Sequence, residues 1–246
     1  MPNWCENYLK LEVPTKQDAD IIEAVLNENE EVYEEFRKEY IPKGCGGMPF
    51  WGEQPLGLLG YLMPEPDYKE GDEKLVKDGI NHIFPDWYSW RVDNWGTKWE
   101  VSIDHWERDD NDDGSVTFNF NFDSAWGPPT GVYDYVSANK EDWDIYATYI
   151  EGGMCFGGYF ENGQDCSFEL GSRDVTDAPA WWVDDYSWYY DQQEEWEMEN
   201  DVETIKIGDM THDAFIKKWG VENYNHWSDL MTPSTDDPVK KVSADV

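Results

Sequence analysis

The stretch that decides the fold is NYLKLEV, residues 7–13, which is followed by PTKQDAD, residues 14–20. Aliphatic and polar side chains alternate along the first stretch, and a period of two residues is typical of a strand with one buried face. Pro14 cannot donate a ladder hydrogen bond, so we expect the strand to end there.

A helix is predicted directly after this strand. Thr15 is suited to cap the helix, and Asp18 three residues later completes a weak capping box. Mostly apolar side chains then recur at steps of three and four from Ile22 to Tyr40. This spacing places them on one helical face, so we expect the helix to run to about Tyr40.

Further strands follow along the chain. They are predicted at 98–106, 115–123, 143–150 and 155–160, with a short one at 167–170. Pro128 and Pro129 begin a second helix that ends near Asn139. The resulting order βαββαβ predicts an α+β fold of the ferredoxin-like kind, a sandwich in which one antiparallel sheet carries two helices on one face.

Composition divides the chain into three regions. Residues 1–172 carry the predicted sandwich, interrupted at about 42–97 by an insertion rich in Pro, Gly and Trp, with one helix expected near 72–82. Residues 173–231 form an acidic, Trp-rich and mainly helical extension. We expect a flexible tail at 232–246.

Three Trp-rich stretches carry a family resemblance. They are MPNWCEN at 1–7, WYSWRVDNWGTKWE at 87–100 and FDSAWGPP at 122–129. Together they resemble the Api92-like (YubB-type) proteins of bacteriophages and conjugative plasmids. The resemblance covers roughly residues 1–170 and implies a ferredoxin-like domain, a mobile-element origin and a bacterial cytosol. It implies no reaction or catalytic residues, and it does not explain the acidic C-terminal part.

The net charge excludes several functions. The chain has 18 Lys and Arg against 54 Asp and Glu, for a formal net charge of −36. Phosphates repel such a surface, so direct binding to nucleic acid or to an anionic membrane is not expected. No apolar run approaches a membrane span, and the first residues lack the features of a signal peptide. We therefore expect a cytoplasmic protein whose partners are basic.

No signature of catalysis, metal binding or cofactor binding is found, so we predict no catalytic residues, no metal site and no cofactor. The cysteines lack C-x-x-C spacing, and there is no phosphate-binding glycine loop. Asp109 to Asp113 matches the first half of a calcium loop, but Phe120 stands where a bidentate Glu belongs. A hairpin loop is the simpler interpretation, and weak divalent-ion binding stays open.

The acidic extension contains the predicted partner-binding residues. A helix is expected at about 184–200, and it carries most of nine acids and two tryptophans. The predicted contacts are Asp184, Asp185, Asp191, Glu194, Glu195, Glu197, Glu199, Asp201, Glu203, Trp188 and Trp196. One interpretation is a solvated face that keeps an aromatic-rich protein soluble. The other is mimicry of nucleic acid, since 36 charges equal those of about 18 base pairs of duplex DNA.

Two functions follow as hypotheses. The first is a phage- or plasmid-type acidic binding protein, a nucleic-acid mimic that occupies a host nucleic-acid-binding or defence protein. The alternative is a small-molecule-binding protein or an uncharacterised enzyme with a site in the Trp-rich insertion. Its polar groups would be Cys45, His82, Arg91 and Lys98, although the tryptophans there are also suited to simple packing.

Overall fold

The chain forms two compact units, Met1–Ala178 and Pro179–Val246. The computed structural model describes residues 3–27, 57–64, 76–77, 80–81, 87–103, 105–171, 177–228 and 230–231. The predicted tail at 232–246 and much of the predicted insertion lie outside the described residues.

The first unit contains one large sheet and several helices. In chain order its elements are β1 (Trp4–Val13), α1 (Lys16–Leu26), α2 (Leu58–Leu62), β2 (Val76–Lys77), β3 (Ile80–Asn81), α3 (Trp87–Asn94), β4 (His105–Asp110), β5 (Val116–Ala125), α4 (Thr130–Asn139), β6 (Asp144–Glu151), β7 (Phe156–Glu161) and β8 (Gln164–Glu169). The order of the six long strands across the sheet is β4-β5-β1-β6-β7-β8, and every neighbouring pair is antiparallel. The fold is therefore α+β.

Strand β1 lies inside the sheet, between β5 and β6, and its buried side chains form part of the hydrophobic core. Leu9 is paired with Phe120 of β5 and with Ala147 of β6, and all three are fully buried. Ile22 of α1 and Val132 of α4 belong to the same buried cluster. Burying each large apolar side chain contributes roughly 1.5–3 kcal/mol. The alternation predicted for residues 7–13 is confirmed.

The start of α1 is also confirmed. The Thr15 hydroxyl oxygen accepts a hydrogen bond of 3.1 Å from the amide of Asp18. The same hydroxyl donates to the Asp18 carboxylate at 2.5 Å. The described helix ends at Leu26, and the rest of the predicted helix lies outside the described residues.

The strand predicted at 98–106 is wrong in its first half, because β4 begins only at His105. Instead of pairing with a strand, this segment is bonded to backbone amides of α2 through Glu100. The Glu100 carboxylate accepts backbone hydrogen bonds from Leu59 at 2.8 Å and from Gly60 at 2.9 Å, which ties this segment to α2 instead of to a strand.

The helix predicted near 72–82 is also wrong in its described part. There, β2 and β3 pair as two short antiparallel strands. In the sequence, an Asp-Gly pair between two apolar segments is a hairpin signal that the helical prediction left out.

The second unit is helical in its described part. Its elements are α5 (Ala180–Asp185), α6 (Ser187–Ile207) and α7 (His212–Trp227). The predicted helix at 184–200 is thus divided, because Tyr186 separates α5 from α6. Helix α6 ends at Ile207 and is followed by Gly208, which adopts the left-handed conformation that favours glycine at a helix C-terminus. Val202, Ile205 and Phe215 form a small buried cluster between α6 and α7.

No helix within the described ranges combines the length and the apolar character needed to cross a membrane.

Candidate functional site

The residues predicted to contact a partner lie on two helices of the second unit. Asp184 and Asp185 end α5, and the other nine residues lie on α6. Eight of the nine acids are exposed, and only Asp201 is half-buried. The described residues of 179–228 contain twelve acids and three lysines, so the surface is strongly negative.

The acids on α6 approach the charge density of a nucleic acid. Seven of them lie between Asp191 and Glu203, over about 20 Å of helix axis at about 1.5 Å per residue. This is one carboxylate per roughly 2.8 Å, whereas one DNA strand carries a charge per about 3.4 Å and a duplex one per about 1.7 Å.

Four of these acids form one row. Asp191, Glu195, Glu199 and Glu203 are successive residues at four-residue steps, and such residues share one face of a helix. Adjacent members of the row are about 6 Å apart along the axis. We call these four residues the acidic row.

Two exposed indoles lie beside the acidic row. Trp188 is 37% exposed and Trp196 is 65% exposed. They belong to the neighbouring four-residue row of α6, and each is three residues from a member of the acidic row. Exposed tryptophan is the residue type that most often anchors protein–protein contacts. The surface therefore combines negative charge with apolar anchors.

Three of the predicted contacts are paired with lysines: Glu203 lies 2.5 Å from Lys206, Glu197 lies 3.6 Å from Lys218, and Asp201 has two partners on α7. The Asp201 carboxylate accepts hydrogen bonds from Lys218 Nζ at 2.8 Å and from Trp219 Nε1 at 2.7 Å, both on α7. Desolvation alone would raise the pKa of Asp201, but the bonds from Lys218 and Trp219 outweigh it and lower that pKa. Asp201 thus joins α6 to α7, a role that its place in an acidic run does not indicate.

The first unit contains a second candidate site, in which the three Trp-rich stretches meet. The ammonium nitrogen of Lys98 lies 4.5 Å from the ring centroid of Trp99, 5.2 Å from that of Trp126 and 5.3 Å from that of Tyr88. The ring centroids of Trp4 and Trp99 are 5.9 Å apart. We call these five residues the aromatic cluster. Its cation–π geometry stabilises a lysine among rings that are partly exposed.

The backbone holds the aromatic cluster together. The amide of Trp126 donates a hydrogen bond of 2.9 Å to the carbonyl of Asn3. The Thr97 hydroxyl donates to the carbonyl of Ala125 at 2.9 Å. Trp126 has φ of 71°, a left-handed conformation that is unfavourable for a bulky residue. The three stretches of the aromatic cluster are therefore joined by hydrogen bonds to the backbone as well as by contacts between rings.

The polar groups predicted for the Trp-rich insertion are only partly brought together. Cys45 and His82 lie outside the described residues. The Arg91 guanidinium lies 4.5 Å from the ring centroid of Trp95. Trp95 is fully buried and donates from Nε1 to the carbonyl of Met63 at 3.0 Å, so it is a core residue. Sequence analysis did not indicate that Trp4 and Trp126 join Lys98, although all three lie in the quoted Trp-rich stretches.

The predicted calcium-like loop forms a hairpin with local partners. Asp110 contacts Lys16 at 2.8 Å and Arg108 at 3.2 Å. Asp113 accepts hydrogen bonds from the amide and the hydroxyl of Ser115. These bonds lower the pKa values of Asp110 and Asp113. Within the described ranges, no three His, Cys, Asp or Glu side chains are placed to share a metal ion.

Comparison with known proteins gives little support for an assignment. No protein-family model matches this chain, and no curated protein matches it. Among solved structures, the chain is similar to the crystal structure of protein api92 from Yersinia pseudotuberculosis, with 13% sequence identity and a TM-score of 0.32. The alignment covers 70% of this chain and 99% of that chain. At this level of similarity, neither fold nor function follows for this chain.

Proposed function

We propose that this protein acts by binding, with α6 occupying the nucleic-acid-binding groove of a basic host protein. The observation that carries the proposal is the density of carboxylates on α6, six of the seven exposed, which lies between that of one DNA strand and that of a duplex. A rigid helix holds the charges at fixed spacings, as a phosphate backbone does.

The binding would combine two kinds of contact. The acidic row and its neighbouring carboxylates attract a positively charged groove and accelerate encounter, and this attraction weakens as salt screens it. Trp188 and Trp196 supply apolar contacts that salt does not screen. We therefore expect high salt to slow association more than it accelerates dissociation.

We also propose that the first unit is a ferredoxin-like domain of the Api92-like kind, from a phage or plasmid, acting in the bacterial cytosol. Support comes from the chain order β1-α1-β4-β5-α4-β6, interrupted by α2, β2, β3 and α3. Further support comes from the position of β1 between β5 and β6. The three Trp-rich stretches support the mobile-element origin. A nucleic-acid mimic directed at a host defence protein agrees with such an origin.

The test begins with affinity capture from bacterial lysate, using the full chain and elution by a salt gradient. A captured protein is then purified, and its binding to a fluorescent 18-base-pair duplex is measured by anisotropy with and without this chain. The proposal expects the chain to displace the duplex. A captured protein that holds the chain and the duplex together contradicts mimicry.

A matched pair of variants tests the role of α6. The first replaces the acidic row with amides: Asp191→Asn, Glu195→Gln, Glu199→Gln and Glu203→Gln. The control removes the same charge from exposed positions of the first unit: Asp134→Asn, Glu141→Gln, Asp142→Asn and Glu161→Gln. We expect the row variant to compete at least about tenfold less well than the control. Equal loss in both variants contradicts a specific role for α6.

The aromatic cluster supports a second candidate function, a small-molecule site. The specific observation is that Trp4, Tyr88 and Trp126 are 49%, 37% and 40% exposed around one lysine. Flat exposed rings suit stacking against a planar ligand. A ligand-induced rise in melting temperature that Trp126→Ala abolishes without unfolding the chain supports this candidate. No rise with nucleotides, sugars or divalent ions counts against it.

A further inference from the structure

Strand β8 forms one edge of the large sheet. Within the described residues it pairs on one side only, with β7. An edge strand has a row of backbone N–H and C=O groups that point away from the sheet, and these groups can pair with a further strand. None of the sequence patterns singled out this edge.

The register of the β7–β8 hairpin shows which residues of β8 bond to β7. Asn162 and Gly163, with φ of 53° and 72°, form a two-residue turn in which the amide of Gln164 faces the carbonyl of the residue before the turn. At the other end, the amide of Leu170 donates to the carbonyl of Cys155 at 2.8 Å. Bonded and non-bonded positions alternate along an antiparallel pair. The backbone groups of residues 164, 166, 168 and 170 therefore face β7.

The backbone groups of Asp165, Ser167 and Glu169 consequently point outward. All three residues are exposed. The register of β7 with β8 is continuous, without a bulge, and β8 contains neither proline nor lysine. Bulges, proline and lysine are common means of protecting an edge strand from pairing, and β8 has none of them.

The opposite edge of the sheet is different. Arg108 of β4 contacts Asp20 at 2.9 Å and Glu23 at 2.5 Å, both on α1. A helix is thus ion-paired to β4, which leaves β8 as the more accessible edge.

The charge around β8 selects the chemistry of an added strand. Between Glu141 and Gly171 the chain has seven Asp and Glu and no Lys, Arg or His. Asp165 and Glu169 lie on the same face of β8, because alternate side chains of a strand share a face. Pairing with β8 of a second copy about Ser167 would place Asp165 of each copy opposite Glu169 of the other, and like charges directly opposite are destabilising. A basic strand is stabilised at the same positions.

We propose that the outward edge of β8 binds an extended segment of a partner protein as an additional antiparallel strand, with Lys or Arg opposite Asp165 and Glu169. The two basic residues are then four positions apart in the segment. The residues beside the central one lie on the face of half-buried Cys166 and Phe168, which suits apolar side chains. The site lies wholly in the first unit and is independent of the function proposed for α6.

The test uses peptides of equal charge that differ in one backbone group. The probe is acetyl-Ser-Lys-Val-Thr-Val-Lys-Ser-amide. In the proposed register its threonine exchanges hydrogen bonds with Ser167, whereas the valine amides point away from β8. N-methylation of the threonine therefore removes a bond between the strands, and N-methylation of the second valine does not.

Binding to the full chain is measured by calorimetry at about 0.15 M salt, where attraction between separated surface charges is largely screened. We expect the N-methyl-threonine peptide to bind about tenfold more weakly than the N-methyl-valine peptide, since it loses a hydrogen bond and its methyl group meets β8. Equal affinity of these two peptides, or no binding of the unmodified probe, overturns the proposal.

A peptide of the same composition tests the spacing of the charges. In acetyl-Ser-Val-Lys-Thr-Lys-Val-Ser-amide the lysines are two positions apart, so at most one can lie opposite an acid of β8. We expect it to bind severalfold more weakly than the probe. Equal binding shows diffuse attraction to a negative protein and overturns the assignment of Asp165 and Glu169.

Variants locate the edge. Ser167→Pro keeps the bonds of β8 to β7, because the amide of Ser167 points outward, but it blocks an added strand. We expect it to weaken probe binding about tenfold, as the loss of a hydrogen bond and the bulk of the ring both oppose pairing. Unchanged binding by this variant, with folding checked by circular dichroism, overturns the proposal.

A second variant covers the case in which proline unfolds the hairpin. Glu169→Gln removes one of the two charges, and Asp144→Asn, at an exposed acid of β6, is the control. We expect Glu169→Gln to weaken probe binding severalfold relative to Asp144→Asn. Equal binding by the two folded variants overturns the proposed pairing.

Discussion

The indole Nε1 of Trp219 on α7 donates a hydrogen bond of 2.7 Å to the carboxylate of Asp201 on α6. Lys218 contacts the same carboxylate at 2.8 Å. These bonds join α6 to the part of α7 that precedes its break at Gly220, where φ is 89°, next to the small buried cluster that contains Val202. Asp201 therefore stabilises the surface on which the other acids of α6 are displayed.

Asp201→Asn should loosen α7 from α6. The variant loses an ion pair and weakens a hydrogen bond to the indole, and we expect a cost of about 1 kcal/mol after allowing for solvent screening. Native-state hydrogen exchange of the α7 amides measures it. Glu199→Gln is the control, because Glu199 is exposed and should exchange as the unchanged protein does. Equal protection of α7 in the two variants contradicts this role.

The stability of the first unit should rise as the pH falls from 7 towards 5. Desolvation raises the pKa values of Glu6, Glu100 and Asp165 above their ordinary values. The folded state then binds protons more tightly than the unfolded state does, so protonation favours folding. The cost of ionising these groups is fully present above their raised pKa values and fades as the pH falls towards about 4.

A salt control separates this effect from repulsion among exposed charges. In about 1 M salt the screening length is near 3 Å, so repulsion across the surface is largely removed while desolvation stays. We expect the melting temperature to rise from pH 7 to pH 5 in high salt as well. A flat or falling melting temperature in high salt contradicts the assignment to these three carboxyl groups.

Lys98→Met should destabilise the aromatic cluster. The substitution keeps a long side chain but removes the cation from three rings, and exposed cation–π contacts contribute about 0.5–1 kcal/mol each. Lys140→Met is the control, since Lys140 lies 4.8 Å from the ring centroid of Trp143, the one ring contact described for it. Thermal unfolding should show a larger loss for Lys98→Met. A loss for Lys140→Met that equals or exceeds it would contradict the prediction.

Local patterns predicted those elements whose reasons lie within the chain segment itself. The alternation in residues 7–13 and the cap at Thr15 are of this kind, because side-chain period and a single hydrogen bond decide them. The long acidic helix was predicted too. Its start at Ser187 was not predicted, because the run of acidic and aromatic residues continues across Tyr186, where the structure separates α5 from α6.

Distant contacts explain what the sequence could not predict. Residues 98–103 alternate as a strand would, but Glu100 is held by backbone amides some 40 residues earlier in the chain. The hydrogen bond of 2.8 Å from the Tyr149 hydroxyl to Asp165 Oδ1 depends on the register of strands β6, β7 and β8. It also depends on Gly158 of β7, which lies between the two residues. Neither register nor a contact of this kind has a local pattern, so the contact between Tyr149 and Asp165 was not predicted.

Gly158→Ala should destabilise the first unit because the new methyl group would clash with the side chain of Tyr149. The new Cβ would lie 2.2 Å from the hydroxyl oxygen of Tyr149 and 2.7 Å from the carbonyl oxygen of Cys166. Overpacking of this kind costs roughly 1–3 kcal/mol. At Gly127 the nearest atom to a new Cβ is 3.7 Å away, which is an ordinary contact, so Gly127→Ala is the matched control and should change stability little.

A double-mutant cycle identifies the tyrosine as the cause. Tyr149→Phe removes the closest atom and the hydrogen bond to Asp165, which frees the ring to tilt away from β7. We therefore expect Gly158→Ala to cost about 1 kcal/mol less in the Tyr149→Phe background than in the unchanged protein, as measured by denaturant unfolding. If the costs of Gly158→Ala and Tyr149→Phe simply add, the clash is with the backbone of Cys166 instead. Tyr149 would then not need a glycine at position 158 to reach Asp165.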